Sequence, residues 1–269
     1  MNLGSKGNGQ NVELLLKIAR CPIVEQCLNG DSGHSCSKIV LSQGVDSYHF
    51  QSPEPWSGHL SDAPILFLSS NPSIGSPTYE QYPRASWDNE SITNYFECRF
   101  GGHQLSSVKQ GIYNAGPGST RSARGTAYWI AVRSRAAELL CKSRSQVVAG
   151  TDYALTEVVR CKSKNEVGVA EALSTCVGRY LEPTLAASAA SVLVVLGASA
   201  KRAVCEKYGL EPNRLLQGPV MLGNRSRLIV FLPHPTGFAA RKTFSRCLRP
   251  SELEQLREWL KTPEKYSSP

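Results

Sequence analysis

Residues 191–196, SVLVVL, followed by Gly197, form the longest apolar run in the chain. The run is far too short to cross a bilayer, which takes about 20 apolar residues. It reads instead as a β-strand buried on both faces. Three more short apolar segments resemble it: residues 64–68 (PILFL), 153–159 (YALTEVV) and 227–232 (RLIVFL). Helical stretches lie between or beside them, at residues 127–141, 169–190, 199–208 and 251–261. This alternation predicts an α/β fold, a three-layer sandwich with a central four-stranded parallel sheet flanked by helices. In such sheets ligands bind beyond the carboxyl ends of the strands, so the residues just after each strand carry the functional reading.

Working outward, residues 12–20 (VELLLKIAR) have apolar side chains at helical spacing and predict a short amphipathic helix. A Gly/Ser-rich loop follows, residues 21–36, in which three cysteines and His34 are more than a linker needs. We expect residues 1–62 to be an N-terminal helix and Cys-bearing loop packing on the core, and residues 63–269 to be the α/β domain. More than eighty residues separate the first two strands, so an insertion is expected at about residues 76–150. It includes the basic, glycine-rich stretch GPGSTRSARG at residues 116–125. Such a stretch suits a phosphate-contacting arm, or simply a surface loop.

The composition is that of a globular protein, with 41% apolar and 19% charged residues, which argues against wholesale disorder. Lys plus Arg outnumber Asp plus Glu by 30 to 22, a formal charge of +8 that suits a polyanionic partner without requiring one. The first ten residues, MNLGSKGNGQ, lack the apolar core of a secretory signal, so a cytoplasmic protein with no membrane partner is expected. Nine cysteines in such a chain argue against a disulfide framework and leave buried thiols or metal ligands.

Three strand ends stand out. After the first strand comes Ser69-Ser70-Asn71-Pro72-Ser73-Ile74-Gly75, where Pro and Gly turn the chain out of the sheet and hold Asn71 at its edge. After the fourth comes Pro233-His234-Pro235-Thr236-Gly237-Phe238, in which two prolines restrict the backbone around a histidine. In isolation each is also readable as an ordinary turn. The second strand places Glu157 inside an apolar run, and burying a carboxylate without a partner is costly. Either Arg160 pairs with it or it faces a pocket where a ligand supplies the hydrogen bond. An amide, an acid and a histidine on three strand ends of one sheet make a candidate active site.

The paired signals, Asn71-Pro72 after the first strand and His234-Pro235-Thr236-Gly237 after the last, resemble the two active-site motifs of the uracil-DNA glycosylase superfamily. In its mismatch-specific and single-strand-selective branches the first motif has Asn before Pro, as here. The middle of the chain is more similar to the iron-sulfur branches: Thr156-Glu157-Val158-Val159-Arg160-Cys161, then Cys176, then residues 192–197 (VLVVLG) with Ala200 beyond. Those branches typically read Thr-Asn-Val-Val-Lys-Cys at the second strand. The resemblance covers roughly residues 64–75 and 153–241.

The resemblance implies an enzyme, a DNA glycosylase that flips a base from the duplex and hydrolyses its N-glycosidic bond. DNA is then the partner and a monomer is expected. Asn71 would orient the attacking water and His234 would steady the departing base. Ser70, Pro72, Ser73 and Thr236 would line the base pocket. Tyr82 is the platform candidate, with Tyr79 and Trp87 behind it, and Phe238 is the wedge candidate. Arg241 and Lys242 would contact the DNA backbone.

Glu157 departs from the pattern. An Asn at this position accepts from N3–H of uracil and donates to O4, whereas an ionised carboxylate only accepts. It therefore suits the exocyclic amino group of cytosine and repels the O4 of uracil. Free excision of ordinary cytosine would be toxic, which makes a modified, 5-substituted cytosine the safer target. Ser73 and Gly75, where the uracil-specific branch has a bulky aromatic, leave space beside C5. In a bacterium such an activity would suit defence against phage DNA. The alternatives are a uracil-excising repair glycosylase and a non-catalytic protein that binds modified DNA. A nucleotide enzyme on a similar sheet has less support, since no phosphate-cradling glycine motif is present.

The resemblance also implies a [4Fe-4S] cluster, with zinc as the alternative metal. Cys161 and Cys176, 15 positions apart, match a pair that the iron-sulfur branches use, and Cys21, Cys27 and Cys36 are the candidates for the upstream pair. The upstream spacing is Cys-x5-Cys-x8-Cys rather than Cys-x2-Cys, so which two of the three ligate is open. Cys98, Cys141, Cys205 and Cys247 read as ordinary thiols.

Overall fold

The structure is a computed structural model that describes residues 5–74, 82–100, 108–109, 112–113, 127–235 and 243–262. Its centre is a sheet of five strands: β1 (Ile65–Ser69), β4 (Ala154–Glu157), β5 (Val192–Leu196), β6 (Leu216–Leu222) and β7 (Arg225–Leu232). A separate two-stranded hairpin is formed by β2 (Val108–Lys109) and β3 (Ile112–Tyr113). The sheet order is β4-β1-β5-β7-β6, with β4, β1, β5 and β7 parallel and β6 antiparallel to β7.

The four expected strands are therefore the parallel part of a larger, mixed sheet. The fifth, β6, carries Gly218-Pro219 in its middle, which reads as a turn in the sequence. An edge strand tolerates it because proline needs no donor there and the pairing with β7 slips between Gln217 and Val220. Glycine is required at 218, since its φ is +109° and a Cβ would lie 2.6 Å from the Arg227 carbonyl oxygen.

Every residue of β1, β4 and β5 is buried, because both faces of the sheet are covered. Leu66, Leu68, Leu193, Val195, Ile229 and Phe231 face one apolar layer. That layer is built by α1 (Ser5–Ala19), α2 (Pro22–Leu28), α3 (Ser37–Leu41), α4 (Asn89–Glu97), α6 (Val169–Cys176), α7 (Glu182–Ala187) and α8 (Ala198–Tyr208). Ile65, Phe67, Val192, Val194, Leu228 and Val230 face the other, built by α5 (Ala127–Leu139), α9 (Phe244–Cys247) and α10 (Pro250–Lys261). This is the three-layer arrangement expected of a continuous apolar strand pattern.

Two expectations need correction in detail. The Cys-bearing segment is not simply a loop, because α2 starts right after Cys21, with Pro22 in its first turn, and α3 starts right after Cys36. The single helix expected over residues 169–190 is α6 and α7 joined by a π-helical turn, Val177–Leu181. The N-terminal segment is tied to the insertion, where Arg20 donates from Nε to Asn89 Oδ1 at 2.8 Å and from Nη2 to the Trp87 carbonyl at 2.6 Å.

Candidate active site

Parallel pairing puts the carboxyl ends of four strands side by side. Ser69 at the end of β1 is in register with Glu157 at the end of β4, and Leu196 at the end of β5 with Leu232 at the end of β7. Beyond β4 the ladder continues through loop backbone, with the N–H groups of Val158 and Val159 donating to the carbonyls of Ser69 and Ser70, both at 2.9 Å. This pairing fixes how Asn71 and Glu157 leave the sheet together. A cavity of about 470 Å³ opens at these ends, and Ser69, Ser70, Asn71, Pro72, Ser73, Glu157 and His234 all line it. Its wall also includes Glu54, Arg99, Tyr128, Trp129, Lys162 and Ser163.

Asn71 donates from Nδ2 to the Pro72 carbonyl at 3.1 Å, which orients the amide and leaves its oxygen as an acceptor. The same carbonyl accepts from Ser163 N–H at 3.2 Å, so the Asn-Pro turn is stapled to the segment after β4. Ser70 is buried, and its Oγ meets no partner. His234 packs against Gly197, whose φ of +88° and missing Cβ let the histidine come close; an added Cβ would lie 3.2 Å from that of His234. Burial lowers the imidazole below its ordinary 6.5, with Glu166 opposing and Arg135 reinforcing, so His234 is neutral at neutral pH. The Tyr128 ring stacks on it, and the Tyr128 hydroxyl donates to Ser69 Oγ at 3.1 Å.

Glu157 is 6% exposed and its Oε2 has no hydrogen-bond partner. Desolvation first, and the Glu54 carboxylate second, push its pKa up to about 8, against the opposing pull of Arg160, Arg99 and Lys162. At pH 7 the side chain is therefore chiefly a neutral acid, with one donor and one acceptor. The pairing with Arg160 that the sequence left open is not made as a hydrogen bond. Arg160 is spent on the Pro55 carbonyl, Thr156 Oγ1 and Thr184 Oγ1.

The sequence reading missed Glu54, Arg99, Lys162 and Tyr128. Glu54 has a signal of the same kind that marked His234, a titratable residue held between two prolines, Pro53 and Pro55. Arg99 follows α4 and Tyr128 lies on α5, within the insertion, where nothing in the pattern distinguishes them. Tyr82, the expected platform, is 3% exposed and does not line the cavity among the described residues. It stands behind the wall, donating to Glu54 Oε2 at 3.1 Å, with Lys162 Nζ 3.5 Å from its ring centroid. Trp87 packs edge-on against Tyr95 away from the cavity. Tyr79, Gly75, Thr236, Phe238, Arg241 and Lys242 lie outside the described residues.

The cysteines form a second assembly. Cys21, Cys36, Cys161 and Cys176 line one small cavity of about 10 Å³, roughly room for a single water. Cys36 hydrogen-bonds Cys176, which draws the Cys176 thiol down to about 7 and raises Cys36. Burial raises Cys161 as well, and Cys176, Cys21 and Cys27 add to it. Cys27 is not on the cavity wall; its sulfur accepts from Ser37 Oγ at 3.6 Å. Among the described residues no group of three or more ligand side chains is placed to hold a single ion. Four thiols on one wall fit the donor chemistry of a cluster, which is larger than an ion and separates its ligands more widely. The void between them must widen to admit one.

No curated protein matches the chain. The model of the uracil DNA glycosylase superfamily matches residues 55–261, from the segment bearing Glu54's proline neighbour to the end of α10, and so spans every strand of the sheet and every described wall residue of the cavity except Glu54. With an Asn-Pro turn and a proline-flanked histidine opposed across the strand ends, this chain belongs to the uracil DNA glycosylase superfamily.

Proposed function

We propose that the chain is a DNA glycosylase that flips a base into the 470 Å³ cavity and hydrolyses its N-glycosidic bond, with a preference for cytosine-type, 5-substituted bases. Superfamily membership supports the enzyme class and DNA as the partner. The observation that carries the substrate reading is Glu157, buried at a strand end in the cavity of Asn71 and His234 with an unpartnered oxygen.

Bond cleavage leaves positive charge on the sugar and negative charge on the base. The Asn71 amide, held by its own bond to Pro72, offers its oxygen to a water on the sugar side. His234, neutral and stacked on Tyr128, donates to the departing base, where a neutral donor avoids stabilising the ground state as strongly as the developing anion. An amino group at C4 finds an acceptor on Glu157 in either protonation state, and in the neutral acid N3 also finds a donor. The O4 of uracil finds a donor only in the neutral acid. Discrimination against uracil therefore rises as Glu157 ionises. Ser73 on the cavity wall, and a volume well beyond a plain pyrimidine, support room for a substituent at C5. In a bacterium this suits defence against phage DNA carrying modified bases.

We also propose a [4Fe-4S] cluster on Cys21, Cys36, Cys161 and Cys176, with zinc as the alternative. When bound, the cluster supplies a cross-link between the N-terminal segment and the strand end that carries Glu157. Excision assays on duplexes carrying uracil, cytosine, 5-hydroxymethylcytosine and its glucosylated form test the substrate reading. A modified cytosine should be cut fastest; uracil as the best substrate overturns it, and tight binding without abasic product shows a DNA-binding protein instead.

A further inference from the structure

Glu54 and Glu157 reach the same cavity from unrelated parts of the chain, and their surroundings differ. Glu54, 3% exposed, is ion-paired with Arg99 through Nη1, and it accepts from Tyr82 OH at 3.1 Å and Ser57 Oγ at 3.2 Å. Its own N–H donates to the Arg160 carbonyl at 2.8 Å, which ties it to the segment leaving β4. Arg99 is held in turn by Ser57 Oγ at 3.1 Å and sits over the rings of Tyr82, Tyr95 and Trp129. Glu157 has no such cradle, and its Oε2 faces no donor.

Two carboxyls in one water-poor site do not both hold charge cheaply, and the one with the better donors keeps it. The charged and titratable groups facing Glu157 come from every side: Glu54 from the segment before β1, Arg99 after α4, Tyr128 from α5, and Arg160 and Lys162 after β4. The cations are engaged elsewhere. Arg99 serves Glu54, Arg160 serves Pro55 and two threonines, and Lys162 lies against the Tyr82 ring. This division agrees with the raised titration of Glu157.

We propose that Glu54 is a positioning residue for base reading: it takes the single negative charge of the buried pair through Arg99, Tyr82 and Ser57, and so leaves Glu157 a neutral acid that meets the base with one donor and one acceptor. The inference rests on Glu157 being the base-facing residue. No proton leaves Glu157 in this role; its O–H donates to N3 and its carbonyl oxygen accepts from the C4 amino group.

The test separates the two claims by reading Glu157 without substrate. The protonated-acid carbonyl stretch is followed by infrared difference spectroscopy across pH in the full chain, in Glu157→Gln and in Glu54→Gln. The wild type should show a band that persists to near pH 8 and is missing in Glu157→Gln. In Glu54→Gln the band should vanish at lower pH, with an acid constant about ten-fold or more larger. The alkaline limb of kcat on a duplex carrying 5-hydroxymethylcytosine should move with it while DNA affinity holds. If Glu54→Gln does not fold, Tyr82→Phe, which removes one donor from Glu54, should shift the band in the same direction. An unshifted band in these variants, or a wild-type band already lost at pH 7, overturns the role of Glu54. A shifted band with no base excised from any duplex keeps the pairing and rejects the glycosylase reading.

Discussion

The rings of Tyr128 and His234 stack with centroids 5.6 Å apart and planes 28° from parallel. Because the Tyr128 hydroxyl is anchored on Ser69 Oγ, the end of β1 sets the tilt of an imidazole that leaves β7. Tyr128→Ala removes that wall and should lower kcat by about 10- to 100-fold, the usual cost of a slightly misplaced group. Tyr128→Phe keeps the ring and should lose less. Single-turnover excision beside DNA-binding titration checks this; equal loss of affinity and rate would show a packing defect instead.

His234 itself is expected to matter more. Removing a donor aimed at developing negative charge costs about 10²- to 10³-fold in rate, so His234→Ala should fall in that range with DNA binding retained. Since burial holds the imidazole below its ordinary value, it is already neutral at pH 7. In Glu157→Gln, which lacks the Glu157 titration, the rate should therefore show no loss as pH rises from 6.5 to 7.5, and a fall in that window would mean that the charged imidazole is the working form.

Glu157→Gln makes two linked predictions. An amide donates to O4 and accepts from N3–H at every pH, whereas the acid loses its donor as it ionises, so the variant should gain uracil excision relative to the wild type above pH 8. The stability effect has a definite sign. A carboxyl raised to about 8 in the fold binds more protons there than in the unfolded chain between its ordinary value of 4.5 and 8. Stability from this group is full below 4.5 and is lost as pH rises through 8. Thermal unfolding should show the wild type losing stability over that range relative to Glu157→Gln; parallel curves would place Glu157 in water.

Gly197→Ala places a methyl 3.2 Å from the Cβ of His234 at a φ of +88°. Such backbone costs about 1–3 kcal/mol, and the histidine must also shift. Calorimetry should show the stability loss, and kcat should fall by more than the stability loss explains at a temperature where the variant is fully folded.

Cysteine variants test the metal proposal. Cys161→Ser and Cys176→Ser should each abolish visible absorbance and bound iron in anaerobically purified protein. Cys141→Ser, at an exposed thiol away from the four-cysteine cavity, should leave both unchanged. Zinc in place of iron and sulfide would select the alternative metal.

The four parallel strands were legible because each is a short, mostly apolar run, and the strand ends followed from the parallel rule. Asn71, Glu157 and His234 were found that way, and all three line one cavity. What the pattern hid comes from segments without periodicity. Glu54 and Arg99 are delivered by an irregular stretch before β1 and by the residues after α4, and only tertiary packing brings them to the cavity. Tyr82 shows the reverse error: an aromatic near the right place in sequence is turned into the wall, where it supports Glu54. The edge strand β6 was lost because Gly218-Pro219 mimics a turn. The role of Glu157 also changed. Its exposure and its neighbours, which no single sequence displays, decide that it is an acid rather than a carboxylate.

The cradle around Glu54 also constrains how this chain can change its substrate. Position 157 lines the cavity, yet under this proposal its chemistry is set by partners at residues 54, 57, 82 and 99, which come from three separate irregular segments of the chain. An ancestor that exchanged an amide for an acid at position 157 before those partners were in place would have buried a carboxyl in the cavity with nothing to fix its protonation state. One that gained Glu54 and Arg99 first would have met the exchange with a ready-made counterweight. The order of the historical substitutions is thus restricted by electrostatics, and reconstructed intermediates carrying the acid without the cradle should be the unstable ones.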